Sequence, residues 1–350
     1  MNSAVSSAVH QPPLKIGLVY NARSEVPDHI AQGQSSDFFA ELDSDETVDA
    51  MEAGLRAAGC EVVRIGAIER LVQFLAAGNT VDGVFNFAEG LWGSARESQG
   101  PGLLDAWRIP YTFADPLTLA ICLDKSITKQ IWLAHGLPTA PFTVAGPDPA
   151  AAADAINALL ATRPTFPMFV KPVREGSSKG VGKSSVVRNA QELRERVHEV
   201  AQRYRQPALI EPFLSGREYT VGVLGYGPEA FTLGVAEVTA STNGEVNGFD
   251  MKHPSFERNE RFTRVPDHAL YEHMADLGLR AYRLLGCCDA GRIDIRLDAA
   301  GRPHLLEINP IAGMHPQHSA LTTMARWAGL PYNTLIEKIL YHARRRWSMR

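Results

Sequence analysis

Residues 292–309 read RIDIRLDAAGRPHLLEIN, and this stretch decides how the rest of the chain is interpreted. Apolar and polar residues alternate from 291 to 298, which predicts a half-buried strand with one polar face. The sequence Asp-Ala-Ala-Gly at 298–301 is typical of a turn, and residues 304–309 predict a returning strand. We therefore expect a hairpin with a loop of about four residues.

That hairpin would place two acids opposite each other on its polar face. In the expected register Asp294 faces Glu307, and Arg292 faces Asn309. Like charges directly opposite on a sheet are destabilising, so this pair needs a reason beyond the fold. Carboxylate and amide oxygens suit Mg²⁺, which proteins commonly hold with carboxylates and substrate phosphates. The alternative is a solvated strand face with ordinary charges.

The bulk properties limit the classes of protein that fit. The chain has 350 residues, which exceeds the usual size of one hydrophobic core, so we expect two or three domains. Its 45% hydrophobic and 21% charged residues are typical of a soluble globular protein. The net charge of −4 provides no overall attraction to nucleic acid or membrane, so we expect neither as a partner. The basic residues 344–346 end an amphipathic helix, where cations favour the helix dipole, and we interpret them as structural.

The cysteines and the N-terminus indicate a cytoplasmic protein. The four cysteines show no CxxC spacing and no disulfide framework, as expected in a reducing compartment. Residues 1–13 are small and polar and lack the basic and apolar regions of a signal peptide, so we interpret them as a disordered tail. No run of about 18 apolar residues is present, so the sequence predicts no transmembrane helix.

Strands and helices alternate through residue 115, which predicts a parallel α/β sheet. Two further units follow, the second with a glycine-rich loop and the third richer in strands, so the fold class is α/β with α+β character. The expected strands lie at 14–20, 60–65, 83–87, 168–171, 186–187 and 209–211, and the expected helices at 44–58, 124–134, 150–160 and 191–203. The expected units are a tail at 1–13 and domains at 14–120, 121–212 and 213–350.

A second signal is the sequence KPVREGSSKGVGKS at 171–184, where a strand delivers a lysine into a loop of glycines and serines. Such a loop offers backbone N–H groups and hydroxyls that can surround phosphate oxygens. A P-loop would need glycine at 177 and a helix directly after the loop. Ser177 stands there instead, and Val186-Val187 predicts a strand. A glycine-rich β-hairpin over phosphates fits better than a P-loop or a merely flexible turn.

Two shorter segments carry further polar groups. Glu211 ends a strand, apolar residues follow, and Glu218 comes next. This segment can bind an adenine and a ribose. The alternative is that these residues only end the strand and bind no ligand. In the loop after the acidic strand, the Gly313 N–H is suited to stabilising an oxyanion. His315 and His318 in that loop raise the alternative of zinc, but no third ligand follows at helical spacing.

The order of these motifs resembles the ATP-grasp superfamily and, within it, the D-alanine–D-alanine ligases. The resemblance covers residues 80–335 and includes, in the first half, Asn86-Phe-Ala-Glu89-Gly90, Arg96-Glu97, Ile109-Pro-Tyr-Thr112 and the segment 115–125. It implies an ATP-grasp fold, in which an N-terminal parallel α/β domain precedes central and C-terminal ATP-grasp subdomains that enclose ATP. It also implies amino-acid substrates, a homodimer and two Mg²⁺ ions, with Mn²⁺ as an alternative.

The resemblance further implies roles for individual residues. The nucleotide would be bound by Lys125, Lys171, Ser177, Ser178, Glu211, Leu214, Glu218 and Leu306. The metal ions would be held by Asp294, Glu307 and Asn309, with Glu307 bridging them. The catalytic groups would be Arg292 and the Gly313 N–H at the oxyanion, Ser177 in the loop over the phosphates, and Lys252, which reaches the γ-phosphate from a mobile loop.

The chain departs from the family's pattern at the substrate residues. The family's opening Gly-Gly-x-Ser-x-Glu loop is absent, and Glu25 is the nearest substitute for its glutamate, which helps hold the first D-alanine. His253 stands where the mobile loop of the family has a tyrosine. His318 aligns with the serine that binds the acceptor carboxylate, so we expect it to influence acceptor choice. The alternative is that the adjacent Ser319 does the serine's work and His318 only caps the following helix.

We therefore predict an ATP-dependent carboxylate–amine ligase that acts through an acyl phosphate, with D-alanyl-D-alanine as the default product. A related dipeptide or depsipeptide of secondary metabolism is the alternative within the class. A nucleotide-binding regulatory protein that has lost turnover is an alternative of another class. The intact set Arg292, Asp294, Glu307 and Asn309 argues against it. A P-loop kinase is disfavoured by Ser177.

Overall fold

The computed structural model describes residues 12–31, 37–240 and 260–348. Among these residues no helix is both long and apolar enough to cross a lipid bilayer. The strands are β1 (Lys15–Tyr20), β2 (Glu61–Gly66), β3 (Gly83–Phe87), β4 (Thr143–Ala145), β5 (Met168–Pro172), β6 (Val186–Val187), β7 (Ala208–Pro212), β8 (Glu218–Leu224), β9 (Phe231–Ala240), β10 (Glu260–Arg264), β11 (Ala290–Leu297) and β12 (Pro303–Asn309). The helices are α1 (Asp28–Ala31), α2 (Asp45–Ala57), α3 (Ile68–Ala76), α4 (Gln99–Ala106), α5 (Pro116–Leu123), α6 (Lys125–Ala134), α7 (Pro149–Ala161), α8 (Ala190–Tyr204), α9 (His268–Leu284), α10 (Ala320–Trp327) and α11 (Tyr332–Trp347).

The first sheet contains parallel strands in the order β2-β1-β3. Its central strand β1 is almost entirely buried, which fits the continuous apolar sequence of a strand covered on both faces. Helix α2 begins after Ser44, whose side chain accepts a hydrogen bond from the Thr47 N–H and so satisfies a free donor of the first turn. The predicted parallel α/β sheet is confirmed.

The second sheet is antiparallel, in the order β4-β7-β5-β6, and helices α7 and α8 share its buried cluster. Strand β6 pairs with β5, so a single 3-10 turn and a strand follow the glycine-rich loop. The P-loop alternative would need an α-helix at this point. The predicted β-hairpin is confirmed.

The third sheet is antiparallel, in the order β10-β9-β8-β11-β12. Strands β11 and β12 pair in the predicted register, with Asp294 opposite Glu307 and Arg292 opposite Asn309. The predicted alternation is also confirmed, because the apolar residues of β11 are buried and its polar residues are half-buried. The hairpin therefore presents its charged side chains on the face away from the hydrophobic core.

The C-terminal helix α11 returns to the first sheet, whereas α10 packs against β8 and β9 of the third sheet. Ile336 and Ile339 share a buried cluster with residues of β1 and α2. The buried Arg346 guanidinium donates to the Asp289 carboxylate at 2.6 Å and to the Phe113 carbonyl at 2.9 Å. The predicted structural role of the basic segment is confirmed at Arg346, which links the region after β3 to the start of β11.

Helices α5 and α6 pack against the third sheet. Cys122, Trp132 and Leu137 share a buried cluster with residues of β8 and β11. This packing brings Lys125, the first residue of α6, next to the β11–β12 hairpin, where its Nζ lies 3.3 Å from Glu307. The domain boundaries at 120 and 212 stay a prediction.

Candidate active site

Two cavities meet at Lys125, Glu175 and Glu307, which line both of them. The lysine-lined cavity, of about 750 Å³, is bounded by the second and third sheets, and its further predicted residues are Lys171, Ser178, Glu211, Leu214, Glu218, Asp294 and Leu306. The acid-lined cavity, of about 790 Å³, is bounded by the first and third sheets, and its further predicted residues are Ser177, Arg292, Asn309 and Gly313. The structure thus brings most of the predicted nucleotide, metal and catalytic residues together.

In the lysine-lined cavity a buried carboxylate is held between two lysines. The Glu211 oxygens lie 3.0 Å from Lys171 Nζ and 2.7 Å from Lys129 Nζ. Burial alone would raise the pKa of Glu211, but the two ammonium groups outweigh it and lower the pKa to about 2. Lys129 is missing from the sequence-based assignments, although its spacing from Lys125 on α6 places both on one helix face.

Apolar walls complete the lysine-lined cavity. The Phe169 and Phe213 rings stack with centroids 6.3 Å apart and an interplanar angle of 29°. The Glu218 carboxylate lies 3.1 Å from the Arg296 guanidinium on the same lining. Apolar walls with a few fixed polar groups are typical of a small-molecule site.

Glu307 and Asp294 face each other where the cavities meet. Burial opposes ionisation of Glu307, but Lys125, Lys171 and Arg292 outweigh it and lower the pKa to about 2. Asp294 accepts hydrogen bonds of 3.0 and 2.9 Å from the Arg292 guanidinium. Burial and the nearby Glu307 nevertheless raise the pKa of Asp294 above its ordinary value. A cation between the two acids would offset both the burial and the repulsion.

The oxygen donors at this point are Asp294, Glu307 and Asn309, and the Asn309 amide nitrogen lies 3.3 Å from an Asp294 oxygen. Within residues 12–31, 37–240 and 260–348, no group of three or more His, Cys, Asp or Glu side chains is placed to hold a metal ion. The donors therefore suit a hard cation that brings further oxygen ligands, such as Mg²⁺ bound to phosphates. His315 and His318, considered for zinc, stack their rings at a centroid distance of 4.5 Å.

The glycine-rich loop between β5 and β6 is attached to acids from a distant segment. The Gly176 N–H donates to Glu41 at 2.5 Å, and the Gly180 N–H donates to Asp37 at 3.0 Å. The following Ser177 has a φ of 47° and its neighbour a φ of 58°, a left-handed conformation that is uncommon outside glycine. The loop therefore holds a strained shape beside both cavities. No sequence motif indicates its two acidic anchors.

The acid-lined cavity receives two carboxylates from the loop after β3. Glu89 lies just beyond β3, and Glu97 lies in the 3-10 turn before α4. The Gly90 N–H donates to the Asn21 side chain at 2.9 Å. A Cβ at Gly90 would lie 2.6 Å from the Arg96 carbonyl oxygen, and the φ there is +69°, so only glycine fits. Packing therefore fixes the loop that carries both acids.

In this loop the arginine has hydrogen-bond and ion-pair partners among the described residues, whereas the two glutamates do not. Arg96 is buried and donates to Glu41 at 2.6 Å and to the Arg174 carbonyl at 2.8 Å. Glu89 and Glu97 make no hydrogen bond or ion pair with the described residues. Burial, opposed by Arg96 and reinforced by Glu41, raises the pKa of Glu97 to about 7. Burial and the nearby Glu97 raise the pKa of Glu89 well above its usual range.

The residues predicted to contact the amino acid that supplies the carboxylate, or the γ-phosphate, either line neither cavity or lie outside the described residues. Glu25 accepts a hydrogen bond of 2.8 Å from the Tyr20 hydroxyl and lines neither cavity. Lys252 and His253 lie outside the described residues. Among the described residues, Glu89 and Glu97 are two of the six carboxylates that line the acid-lined cavity. In the sequence they appear only as part of the family resemblance.

The predicted acceptor-side residues also lie apart from the two cavities. His318 is exposed, and its backbone N–H lies 3.3 Å from the His315 ring nitrogen. Ser319 is buried, and its hydroxyl accepts a hydrogen bond of 2.9 Å from the His315 N–H. Ser319, not His318, occupies the N-cap position of α10, so the alternative that His318 caps this helix is wrong.

Comparisons with known proteins extend these observations. A family model described as the D-ala D-ala ligase C-terminus matches residues 131–341. A D-alanine–D-alanine ligase of Bordetella petrii is 33% identical over 325 residues, which cover 91% of this chain and 94% of that protein. A D-alanine–D-alanine ligase of Alcanivorax borkumensis is 32% identical over 314 residues, which cover 90% of this chain and 92% of that protein.

Solved structures agree on the fold. A D-alanine–D-alanine ligase from Bacillus anthracis, solved in complex with ATP, matches with a TM-score of 0.72 at 22% identity, over 96% of this chain and 99% of that one. A D-Ala:D-Ser ligase from Enterococcus faecalis matches with a TM-score of 0.71 at 20% identity, over 95% and 99%. The predicted ATP-grasp fold is confirmed. Because the family model matches more than half of the chain and relatives above 30% identity cover most of it, the chain belongs to the D-alanine–D-alanine ligase family.

Proposed function

We propose that this protein is an ATP-dependent carboxylate–amine ligase that joins two amino acids, with D-alanyl-D-alanine as the default product. The observation that carries the proposal is the position of Glu307, which with Lys125 lines both cavities. The lysine-lined cavity would hold ATP and the acid-lined cavity the amino acids. The γ-phosphoryl group and the reacting carboxylate would then meet beside Glu307. The names of the relatives support D-alanine as the default substrate.

The proposed reaction has two steps. A carboxylate oxygen of one amino acid attacks the γ-phosphorus of ATP, the bond from that phosphorus to the bridging oxygen breaks, and ADP leaves. The amine nitrogen of the other amino acid then attacks the carbonyl carbon of the acyl phosphate. Phosphate leaves with the electrons of the C–O bond, and the nitrogen loses a proton. The protein's contribution is mainly positioning and charge neutralisation.

The charge state of Lys171 supports ATP binding. Burial alone would lower the pKa of Lys171, but Glu211 and Glu307 raise it, so the ammonium group stays charged. We propose that Lys125 and Lys171 contact the nucleotide and that the loop serines cover its phosphates. The adenosine part would contact Glu211, Leu214, Glu218 and Leu306, which line the same cavity.

We propose that Asp294, Glu307 and Asn309 hold two Mg²⁺ ions, which Mn²⁺ could replace. Their oxygen chemistry and the raised pKa of Asp294 beside Glu307 support this assignment. Bound Mg²⁺ would neutralise charge on the transferring phosphoryl group. We expect chelation of divalent cations to stop turnover while helical circular dichroism is retained, because the metal arrives largely with ATP. Loss of the helix signal on chelation would indicate a structural metal instead.

We propose that the Arg292 guanidinium and the Gly313 N–H stabilise the oxyanion that forms when the amine attacks. Both line the acid-lined cavity, and the two hydrogen bonds from Arg292 to Asp294 orient the guanidinium. The family resemblance supports Lys252 at the γ-phosphate. The substrate roles of Glu25, His253, His318 and Ser319 rest only on their positions relative to the family's motifs, and Glu25, His318 and Ser319 line neither cavity. The resemblance also supports a homodimer, which light scattering over a range of protein concentrations would test.

An amino-acid panel tests the proposed function. Release of ADP and phosphate would be measured with ATP, Mg²⁺ and D- and L-amino acids, alone and in pairs, with mass detection of the product. We expect release that depends on the amino acids and a product in which two of them are joined. If ATP binds but no amino acid promotes release, the protein is instead a nucleotide-binding regulator that has lost turnover.

A further inference from the structure

The acid-lined cavity carries more negative charge than the described residues neutralise. Its lining there has six carboxylates, but its cationic side chains are only Lys125 and Arg292. Three carboxylates are ion-paired at N···O distances of 2.6, 2.9 and 3.3 Å, namely Glu41 with Arg96, Glu175 with Lys179 and Glu307 with Lys125. Glu89 and Glu97 line the same cavity without such a partner among the described residues.

Glu97 is the more informative of these two acids. Only 9% of its surface is exposed, and that surface lines the cavity. The adjacent Arg96 is engaged by Glu41 and by the Arg174 carbonyl. An ionised carboxylate that is buried without a partner costs several kcal/mol, so its retention in a fold needs an explanation. A group that enters the cavity from outside the chain would provide one.

Glu89 adds a second charge at the same place. Its loop is held by the hydrogen bond from the Gly90 N–H to Asn21. Burial and the nearby Glu97 raise the pKa of Glu89, and burial, opposed by Arg96 and reinforced by Glu41, raises the pKa of Glu97. Among the described residues, no group of three or more His, Cys, Asp or Glu side chains is placed to hold a metal ion, and the Mg²⁺ proposed above is assigned to Asp294, Glu307 and Asn309. An organic cation is therefore the ligand that matches Glu89 and Glu97. Ammonium groups form strong charge-assisted hydrogen bonds with carboxylates.

The ligase reaction indicates which substrate would bring this charge. The amino acid that attacks must use its amine as a free base. The amino acid that supplies the carboxylate keeps its α-ammonium group throughout the reaction. An alanine in that position brings one ammonium group, whereas Glu89 and Glu97 provide two carboxyl groups.

We propose that the amino acid supplying the carboxylate is a diamino acid, and that Glu89 and Glu97 bind its α-ammonium and side-chain ammonium groups. The inference rests on the proposed ligase function and specifies the substrate class of its acid-lined cavity. D-alanine, as the default, would then apply to the other substrate position.

Direct binding tests this inference without turnover. Calorimetry with the full chain, Mg²⁺ and a non-hydrolysable ATP analogue would compare 2,4-diaminobutyrate with 2-aminobutyrate, and ornithine with norvaline, in both enantiomers. Each pair has the same chain length and differs only in the terminal ammonium group. We expect the diamino acid of at least one pair to bind tighter by on the order of tenfold to a hundredfold.

Variants of the two acids sharpen the test. Glu97→Gln and Glu89→Gln should each remove most of the preference for the diamino acid. Glu61→Gln, an exposed acid on β2, makes the same charge change away from the cavities and should retain the preference. Near-UV circular dichroism would verify folding, and if one cavity variant does not fold, the other carries the comparison. Equal or tighter binding of the uncharged amino acid in both pairs, or a preference that survives both substitutions, overturns the inference.

Phosphate release with the same amino acids separates this inference from the proposed function. Release that is fastest with an uncharged amino acid would overturn the diamino-acid assignment and leave the ligase function standing. The absence of release with any amino acid would overturn the ligase function. In that case the calorimetric comparison still decides whether Glu89 and Glu97 bind a diamino acid.

Discussion

Each cavity contains a buried glutamate, and the pKa values of the two glutamates are shifted in opposite directions. Glu211 in the lysine-lined cavity is 3% exposed, Glu97 in the acid-lined cavity 9%. Two lysine ammonium groups within 3.0 Å of Glu211 lower its pKa to about 2. Burial instead raises the pKa of Glu97 to about 7. Partners rather than burial therefore decide the charge state. The chain itself neutralises the charge of Glu211, whereas we propose that a ligand neutralises the charge of Glu97.

Glu307 lies at the junction of the cavities, and changing it should have the largest effect. We expect Glu307→Gln to reduce kcat/KM on the order of a thousandfold, because it removes one charge from the site that neutralises the transferring phosphoryl group. The far-UV circular dichroism spectrum should stay unchanged. Phosphate release at saturating Mg²⁺ measures the effect, with Glu61→Gln as the control. Substantial activity in Glu307→Gln would remove the metal assignment.

The two lysines beside Glu211 offer a matched pair of variants. Lys171 lines the cavity, whereas Lys129 is fully buried behind it. We expect Lys171→Met to weaken ATP binding by on the order of tenfold to a hundredfold, since it removes an ammonium group facing the nucleotide. Lys129→Met should instead lower the free energy of unfolding by about 1–3 kcal/mol and change ATP affinity little. Calorimetric titration with ATP measures the first effect, and urea denaturation measures the second. Equal ATP affinity in wild type and Lys171→Met would contradict the assignment of Lys171 to the nucleotide site.

The opposite pKa shifts predict opposite stability effects. Because the pKa of Glu97 rises from 4.5 to about 7 on folding, the folded state binds more protons in that range and the free energy of unfolding falls as pH increases. Glu97→Gln should therefore be more stable than wild type at pH 8 by about 1–3 kcal/mol, with no gain below about pH 4. Glu211→Gln should be less stable at pH 8, because the lowered pKa of Glu211 contributes stability that is lost only as pH falls from 4.5 toward 2. Urea denaturation at several pH values measures both, and a Glu97→Gln variant less stable than wild type at pH 8 would contradict the comparison.

His318 should give the smallest effect. It is exposed and lines neither cavity. We expect His318→Ser to change the KM of the acceptor amino acid by about fivefold or less, because an exposed charge contributes under about 1 kcal/mol. Acceptor kinetics of both proteins between pH 6 and pH 8 would measure it. A larger change, or a reversed acceptor ranking, would show that His318 approaches the substrate more closely than its exposed position indicates.

The sequence determined the hairpin of β11 and β12, including the pair of Asp294 and Glu307, because turn length and apolar alternation act within one short stretch. The same kind of local information excluded the P-loop, since Val186-Val187 favours a strand. The order of such motifs was sufficient for the ATP-grasp fold. Lys129 could also have been found, because its helical spacing from Lys125 is a local feature.

Only the tertiary structure decided which charges are paired. The Gly176 N–H and its acceptor Glu41 are 135 residues apart, and no periodicity connects them. Glu25 has the expected residue type but bonds to Tyr20 away from the cavities. Glu97 stays without a partner because the packing of distant segments commits its neighbouring cations elsewhere. Burial and Coulomb energy depend on distances in space, so the charge state of these acids follows from the folded chain and not from their order along it.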